Sequence, residues 1–181
     1  EGNGPVVTAD IAGDEPVMLA AALPGVPVVV ARRRRDGGLL ALSRFGANCI
    51  LLDDGYQHRR LARDLDLLLL DGARPFGNGR MLPGGSLREP LAAMARAGAL
   101  IVTRSDGATA EAARALATAS SRYCPGVPIF HARLRPAGLL EASSNRPVPL
   151  ESLAGTAVTC FAGIVAPERF FATVASCGAR V

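Results

Sequence analysis

"CILLDDGYQHRRLARDLDLLLLDG", residues 49 to 72, carries the ends of two runs rich in aliphatic residues, each closed by acid and then glycine: Asn48 to Leu52 by Asp53, Asp54 and Gly55, and Leu65 to Leu70 by Asp71 and Gly72. A run of aliphatic residues without polar alternation is the pattern of a strand covered on both faces, as in a parallel sheet. Asp-Gly at its end is ordinary turn chemistry. The alternative is functional, because open α/β sheets take their ligands at the carboxyl ends of their strands. Carboxylates placed there are able to hold magnesium, which prefers oxygen ligands and keeps several of its waters.

Similar apolar runs recur at Val26 to Ala31, Ala99 to Thr103, Val127 to Leu134 and Ala157 to Phe161. Helical segments are expected between them at Glu15 to Leu23, Glu89 to Ala97, Thr109 to Tyr123 and Glu168 to Cys177. Proline stands early in three of these and Gly178 follows the last, which is normal helix punctuation. The alternation predicts an α/β fold with a mostly parallel sheet and flanking helices. Residues 1–126 are read as the first domain. Residues 127–152, proline-marked and without helical period, are read as an extended linker, and 153–181 as the start of a smaller α/β domain.

Composition narrows the chemistry. The 181 residues are 49% hydrophobic and 20% charged, the balance of a folded chain. No apolar stretch approaches the roughly 20 residues of a bilayer-spanning helix, and the opening residues lack the basic head and apolar body of a signal peptide. The four cysteines are scattered without a CxxC pair and read as small buried side chains in a reducing compartment. With two histidines, a His-rich zinc site is excluded within this chain, and metal work falls to carboxylates. All 20 basic residues are arginine, so no phosphate loop of the form GxxxxGK[ST] is present. The run Arg32 to Arg35 reads as a solvated face, with anionic lipid or phosphate as the alternative.

A third acid, Glu89, follows the glycine-rich loop "RPFGNGRMLPGGSLREP", residues 74 to 90. Loops of that length inside α/β domains are usually functional. Near the start, "GDEP" places Asp14 ahead of a helix, either as a cap or as a general base for an attacking hydroxyl. Asp14, Asp53, Asp54 and Glu89 are expected to converge with the Gly77 to Gly79 loop at one sheet edge.

The order GDEP, DDGYQH, FGNGR, LREP and FAGIVAPERFF closely resembles the tetraacyldisaccharide 4'-kinase (lipid A 4'-kinase) family over nearly the whole chain. The resemblance implies an incomplete P-loop NTPase-like fold and transfer of the γ-phosphate of ATP to the 4'-hydroxyl of an acylated disaccharide 1-phosphate lipid. It further implies magnesium, peripheral contact at the cytoplasmic face of the bacterial inner membrane, and no nucleic-acid partner. Carried over by motif, Asp14 matches the catalytic base, Asp53 and Asp54 the Walker B acids serving catalysis and metal, and Glu89 a metal ligand. Gln57, His58, Asn78 and Arg88 fall to substrate or phosphate. The family's Walker A loop precedes GDEP and its catalytic histidine lies beyond FFATVASCG, so the chain is read as an internal piece expected to be inactive alone. LPGGSLREP and GIVAP depart from the family's usual LPAGPLREP and GIGNP. The alternatives are a non-catalytic NTPase-like binding module and a magnesium-dependent phosphohydrolase.

Overall fold

The computed structural model describes residues 4–164 and 166–181. Its centre is a three-stranded parallel sheet in the order β1 (Leu67–Asp71), β2 (Ala99–Thr103), β3 (Ile129–His131). Leu70 stands opposite Val102 and Asp71 opposite Thr103, so the carboxyl ends of β1 and β2 are flush. That alignment carries the acid of the first strand to the same edge as the residues that follow the second.

One face of the sheet is covered. Leu70, Leu100 and Val102 pack with Met94, Ala97, Leu116, Ala119 and Cys124 into the buried core. Leu116 and Ala119 come from α4 (Ala110–Tyr123), the crossover between β2 and β3. Alanine-rich sequence favours that helix. Thr109 caps it by accepting the Ala112 N–H at 3.1 Å, Glu111 lies in its first turn and Arg122 in its last, as the dipole prefers. The buried positions Ala112, Leu116, Ala119 and Ser120 form one stripe along it. The opposite sheet face is open: Leu69, Ile101 and Phe130 share a row across the three strands, and Leu69 and Phe130 are 61% and 57% exposed.

Before the sheet come α1 (Ala9–Ala12), α2 (Asp14–Ala22) and α3 (Arg34–Phe45), none of which holds a fully buried residue. After it, residues 139–148 form a two-stranded antiparallel hairpin, β4 (Leu139–Leu140) with β5 (Pro147–Val148). The chain closes with α5 (Pro167–Ser176) and a return in which Arg180 accepts the Val158 N–H and donates to Thr156. Among the described residues, no helix is long and apolar enough to cross a membrane.

The α/β reading holds, with local differences. Val26 to Ala31 and Asn48 to Leu52 form no strand. An apolar run supplies a pleat that can be buried, but a strand exists only where another edge accepts its N–H and C=O groups, and no described segment pairs with either. Ala157 to Phe161 is reduced to a single parallel bridge, Ala157 with Arg180. The helix expected over Glu89 to Ala97 is a tighter 3-10 turn, Leu91–Arg96, because Pro90 is extended at ψ 155° and delays the helical start. α3 was not anticipated: Gly37 and Gly38 dilute its helical signal, and its cationic start, Arg34 and Arg35, opposes the dipole. β3 lies inside the stretch read as linker.

Leu100 is fully buried at the middle of the sheet. Leu100→Ala is therefore expected to lower unfolding stability by about 2–5 kcal/mol. Leu51→Ala, at a side chain 91% exposed, is expected to stay within about 0.5 kcal/mol. Urea midpoints followed by circular dichroism test both.

Candidate functional site

Three acids, Asp54, Asp71 and Glu89, are each met by arginine. At the end of β1, Asp71 Oδ1 accepts the Ala73 N–H at 2.9 Å, which turns the chain out of the strand. Its Oδ2 accepts from Arg104 Nη2 at 2.6 Å and from Arg169 Nη1 at 3.2 Å. Burial disfavours the Asp71 carboxylate, but the Ala73 N–H, Arg169 and Arg104 outweigh it, and its pKa lies below the ordinary carboxyl value. The turn itself needs glycine: a Cβ on Gly72 would lie 3.0 Å from the carbonyl oxygens of both Thr103 and Arg104.

The segment 53–66 folds over the 3-10 turn. Tyr56 donates its hydroxyl to the Ala93 carbonyl at 2.8 Å, and the Arg96 guanidinium lies 4.6 Å over the Tyr56 ring. Arg96 also grips Glu89 with both Nη atoms, at 2.9 and 2.8 Å, and donates to the Tyr56 carbonyl. Bidentate arginine pairs of this kind fix geometry as well as charge. Glu89 is held ionised, its pKa lowered first by the Arg96 hydrogen bonds against the effect of burial, with Gln57 and Arg59 contributing. Arg63 binds Asp66 through two bonds and reaches back to the carbonyls of His58 and Leu61.

Asp54 sits at φ 46°, a left-handed conformation that Asp tolerates better than most residues. Both its carboxylate oxygens accept from Arg88 Nη1, at 2.8 and 2.7 Å, on an exposed surface. In the glycine-rich loop, Asn78 donates to the Gly84 carbonyl and accepts the Arg80 N–H, so its amide is spent on the loop's own backbone. Any side chain at Gly85 would collide with the Arg80 carbonyl and the Asn78 oxygen.

Some of the expected site residues are joined to one another by direct contacts. Asp54 with Arg88, and Glu89 with Gln57, join the 53–66 segment to the LREP stretch. His58 is exposed beside them in sequence and gives its carbonyl to Arg63. Asp53 is exposed and has no ion-pair partner among the described residues. Asp14 is an exposed first-turn acid of α2, where Gly13 holds the cap position. Among the described residues, no three of His, Cys, Asp and Glu gather closely enough to hold a metal ion. An apolar cavity of about 330 Å³ is lined by Val6, Ile11, Val17, Leu23, Val28 and Phe45 among others, with none of these acids in its wall. Arg96, Arg104, Arg169 and Tyr56 were not singled out from sequence. In an arginine-only chain nothing marks the arginines that will meet acids.

Parallel strands with helices between them, with acids and arginines paired beside the strand ends, define an α/β protein. The model of the tetraacyldisaccharide-1-P 4'-kinase family matches residues 3–181. The chain is 41% identical over its whole length to the tetraacyldisaccharide 4'-kinase of Anaeromyxobacter dehalogenans strain 2CP-C, covering 48% of that protein. It is 41% identical over 175 residues to that of Syntrophus aciditrophicus, 93% of this chain and 47% of the relative. The Geobacter sulfurreducens protein of the same name is 42% identical over 171 residues, 94% of this chain and 46% of the relative. The chain belongs to the tetraacyldisaccharide 4'-kinase family. It spans about half the length of the curated relatives it matches. No solved structure matches it.

The lowered Asp71 and Glu89 pKa values give a signed prediction. A carboxyl whose folded pKa is depressed adds stability above its unfolded pKa, near 4, and loses it as pH falls through the folded value. Asp71→Asn should therefore have a lower urea midpoint than the parent at pH 7, and the difference should close as pH falls below about 4. A difference independent of pH would show that Asp71 acts through packing alone.

Proposed function

We propose that this chain is the acid-bearing part of a lipid kinase that passes the γ-phosphoryl group of ATP to the 4'-hydroxyl of an acylated disaccharide 1-phosphate. The observation that carries this reading is the family match from residue 3 to 181. Phosphoryl transfer asks a protein chiefly for positioning and neutralisation of charge, and the motif-bearing segments of this chain supply both acids and arginines.

In this reading Asp14 takes the proton from the attacking hydroxyl, a role suited to an exposed carboxylate with no ion-pair partner among the described residues. Arg88 meets phosphate, releasing Asp54 as it does so; a guanidinium fork matches phosphate as well as carboxylate. Gln57 and His58 line the approach of the sugar, and Asn78 contributes by shaping the glycine-rich loop. Magnesium fits the donor chemistry, because it is satisfied by one or two carboxylates with phosphate oxygens and water. Asp53 and Asp54, adjacent in the chain, would hold it with phosphate oxygens and water, and Glu89, which is bound by Arg96 and not gathered with them here, would join once ligand draws the two segments together. When bound it neutralises charge on the phosphates. Arg96 keeps Glu89 ionised by bonding both of its carboxylate oxygens.

The lipid substrate calls for peripheral contact with the cytoplasmic face of the inner membrane. Exposed Val6, Ile11 and Met18 and the exposed run Arg32 to Arg35 have the mixed apolar and cationic character that suits an anionic surface.

The test is a hybrid in which these 181 residues replace the matching half of the Anaeromyxobacter relative, assayed by mass for the 4'-phosphorylated lipid. The hybrid should turn over. Asp14→Asn should lower kcat by about 100-fold or more with an unchanged magnesium requirement. Asp53→Asn should lower the rate and raise the magnesium requirement together. The 181 residues by themselves, with no lysine to meet the β and γ phosphates, should give no product. A hybrid that folds and binds ATP yet never phosphorylates would overturn the reading.

A further inference from the structure

We infer that Arg104 and Arg169 form a binding site for a phosphate monoester at the carboxyl edge of the sheet, with Asp71 as its internal placeholder. The inference stands independently of the roles proposed for Asp14, Asp53, Asp54 and Glu89.

Charge balance is the first argument. One carboxylate faces two guanidinium groups, both directed at the same oxygen, Asp71 Oδ2. Its other oxygen is taken by the Ala73 N–H. The cluster is left with a surplus positive charge. Each guanidinium has five N–H donors, and Asp71 accepts one from each. No other acceptor meets either group among the described residues, and the two side chains are 51% and 41% exposed. Their remaining donors face outward.

Backbone conformation is the second argument. Arg104 sits at φ 52°, ψ 39°, a left-handed conformation that costs a residue other than glycine about 1 kcal/mol or more. It is held there because the Ser105 N–H and hydroxyl both reach the Ala132 carbonyl just beyond β3. The strained turn carries the guanidinium across to the end of β1. A surface ion pair returns only about 0–1 kcal/mol, so the pairing with Asp71 is a weak reason for placing a long cationic side chain at a position where glycine would be relaxed.

Position is the third. Asp71 and Thr103 end adjacent parallel strands, where open α/β sheets receive ligands. Arg169 arrives there from α5, 98 residues away in the chain. A dianionic phosphate neutralises two arginines more completely than one carboxylate does and presents three oxygens to their forks. Asp71 and the phosphate compete for the same donors. Removing the Asp71 charge should then tighten phosphate binding, the opposite of what a purely structural ion pair predicts.

The experiment titrates the 181-residue chain, without divalent metal, with inorganic phosphate, glucose 1-phosphate and ATP in separate calorimetric arms. Arg104→Gln and Arg169→Gln should each weaken phosphate binding about tenfold, as expected for loss of a charge-assisted pair. Arg122→Gln, which removes the same charge from α4, should change it little. Asp71→Asn should tighten binding several-fold. A preference for glucose 1-phosphate identifies a sugar phosphate as the source of the anion, and a preference for ATP identifies a nucleotide; either supports the site if the two arginines carry it. No phosphate binding by the parent, equal weakening by Arg122→Gln, or weaker binding in a folded Asp71→Asn would overturn the inference. If Asp71→Asn does not fold, the two arginine variants decide the matter, since both side chains are about half exposed.

Discussion

Everything that gives this molecule its chemistry hangs on the parallel pairing of β1 with β2. A parallel ladder fixes direction as well as register, so pairing Leu67–Asp71 with Ala99–Thr103 sends both strands to the same edge. The residues after them, Gly72 and Arg104, are thereby brought into contact, with Gly72 donating to the Thr103 carbonyl. The same pairing builds the core, because Leu70, Leu100 and Val102 become one apolar surface for α4 and the Leu91–Arg96 turn. Hydrophobic burial on that face fixes the positions of charged groups that have no strong preference of their own.

Arginine is the second unifying feature. With no lysine available, every lysine-or-arginine contact is made by a planar guanidinium, which is able to bond two oxygens or stack on a ring. Arg96 does both at once, on Glu89 and Tyr56. Arg63 closes the 58–66 segment on itself, and Arg88 joins Asp54 to the far end of the glycine-rich loop. The result is a set of loops tied by charge as well as by the apolar contacts that Tyr56 and Phe76 make with the core. Such ties weaken as salt rises when they are exposed, as the Asp54 pair is. The half-buried Glu89 pair is better shielded.

Burial is uneven along the chain. Among the described residues, the buried apolar ones all fall between Leu70 and Cys124, whereas α1, α2, α3 and α5 contribute none. A parallel sheet normally has both faces covered, yet Leu67, Leu69 and Phe130 lie on or near the surface here. Cooperative stability is therefore concentrated in the sheet, α4 and the 3-10 turn, and the peripheral helices belong to the low-stability end of the molecule.

The fold class was legible from local sequence, because apolar runs ending in Asp-Gly and alternating with helical patterns are dictated by nearest-neighbour chemistry. β1, β2 and α4 fall close to where those patterns put them, and Thr109 caps α4 as a threonine before an alanine-rich segment should. The motif order placed the chain in its family for the same reason: a motif is local. What the sequence left open was pairing. Val26 to Ala31 and Ile50 to Leu52 look as strand-like as Leu67 to Leu70, and only the presence or absence of a partner edge separates them. The charge pairing was likewise hidden. Glu89 with Arg96 was within local reach, but Asp71 with Arg104 and Arg169 spans 33 and 98 residues. Twenty arginines offer too many equivalent partners for sequence to choose among them. That choice belongs to tertiary structure, since an ion pair forms where packing has already brought two backbones together.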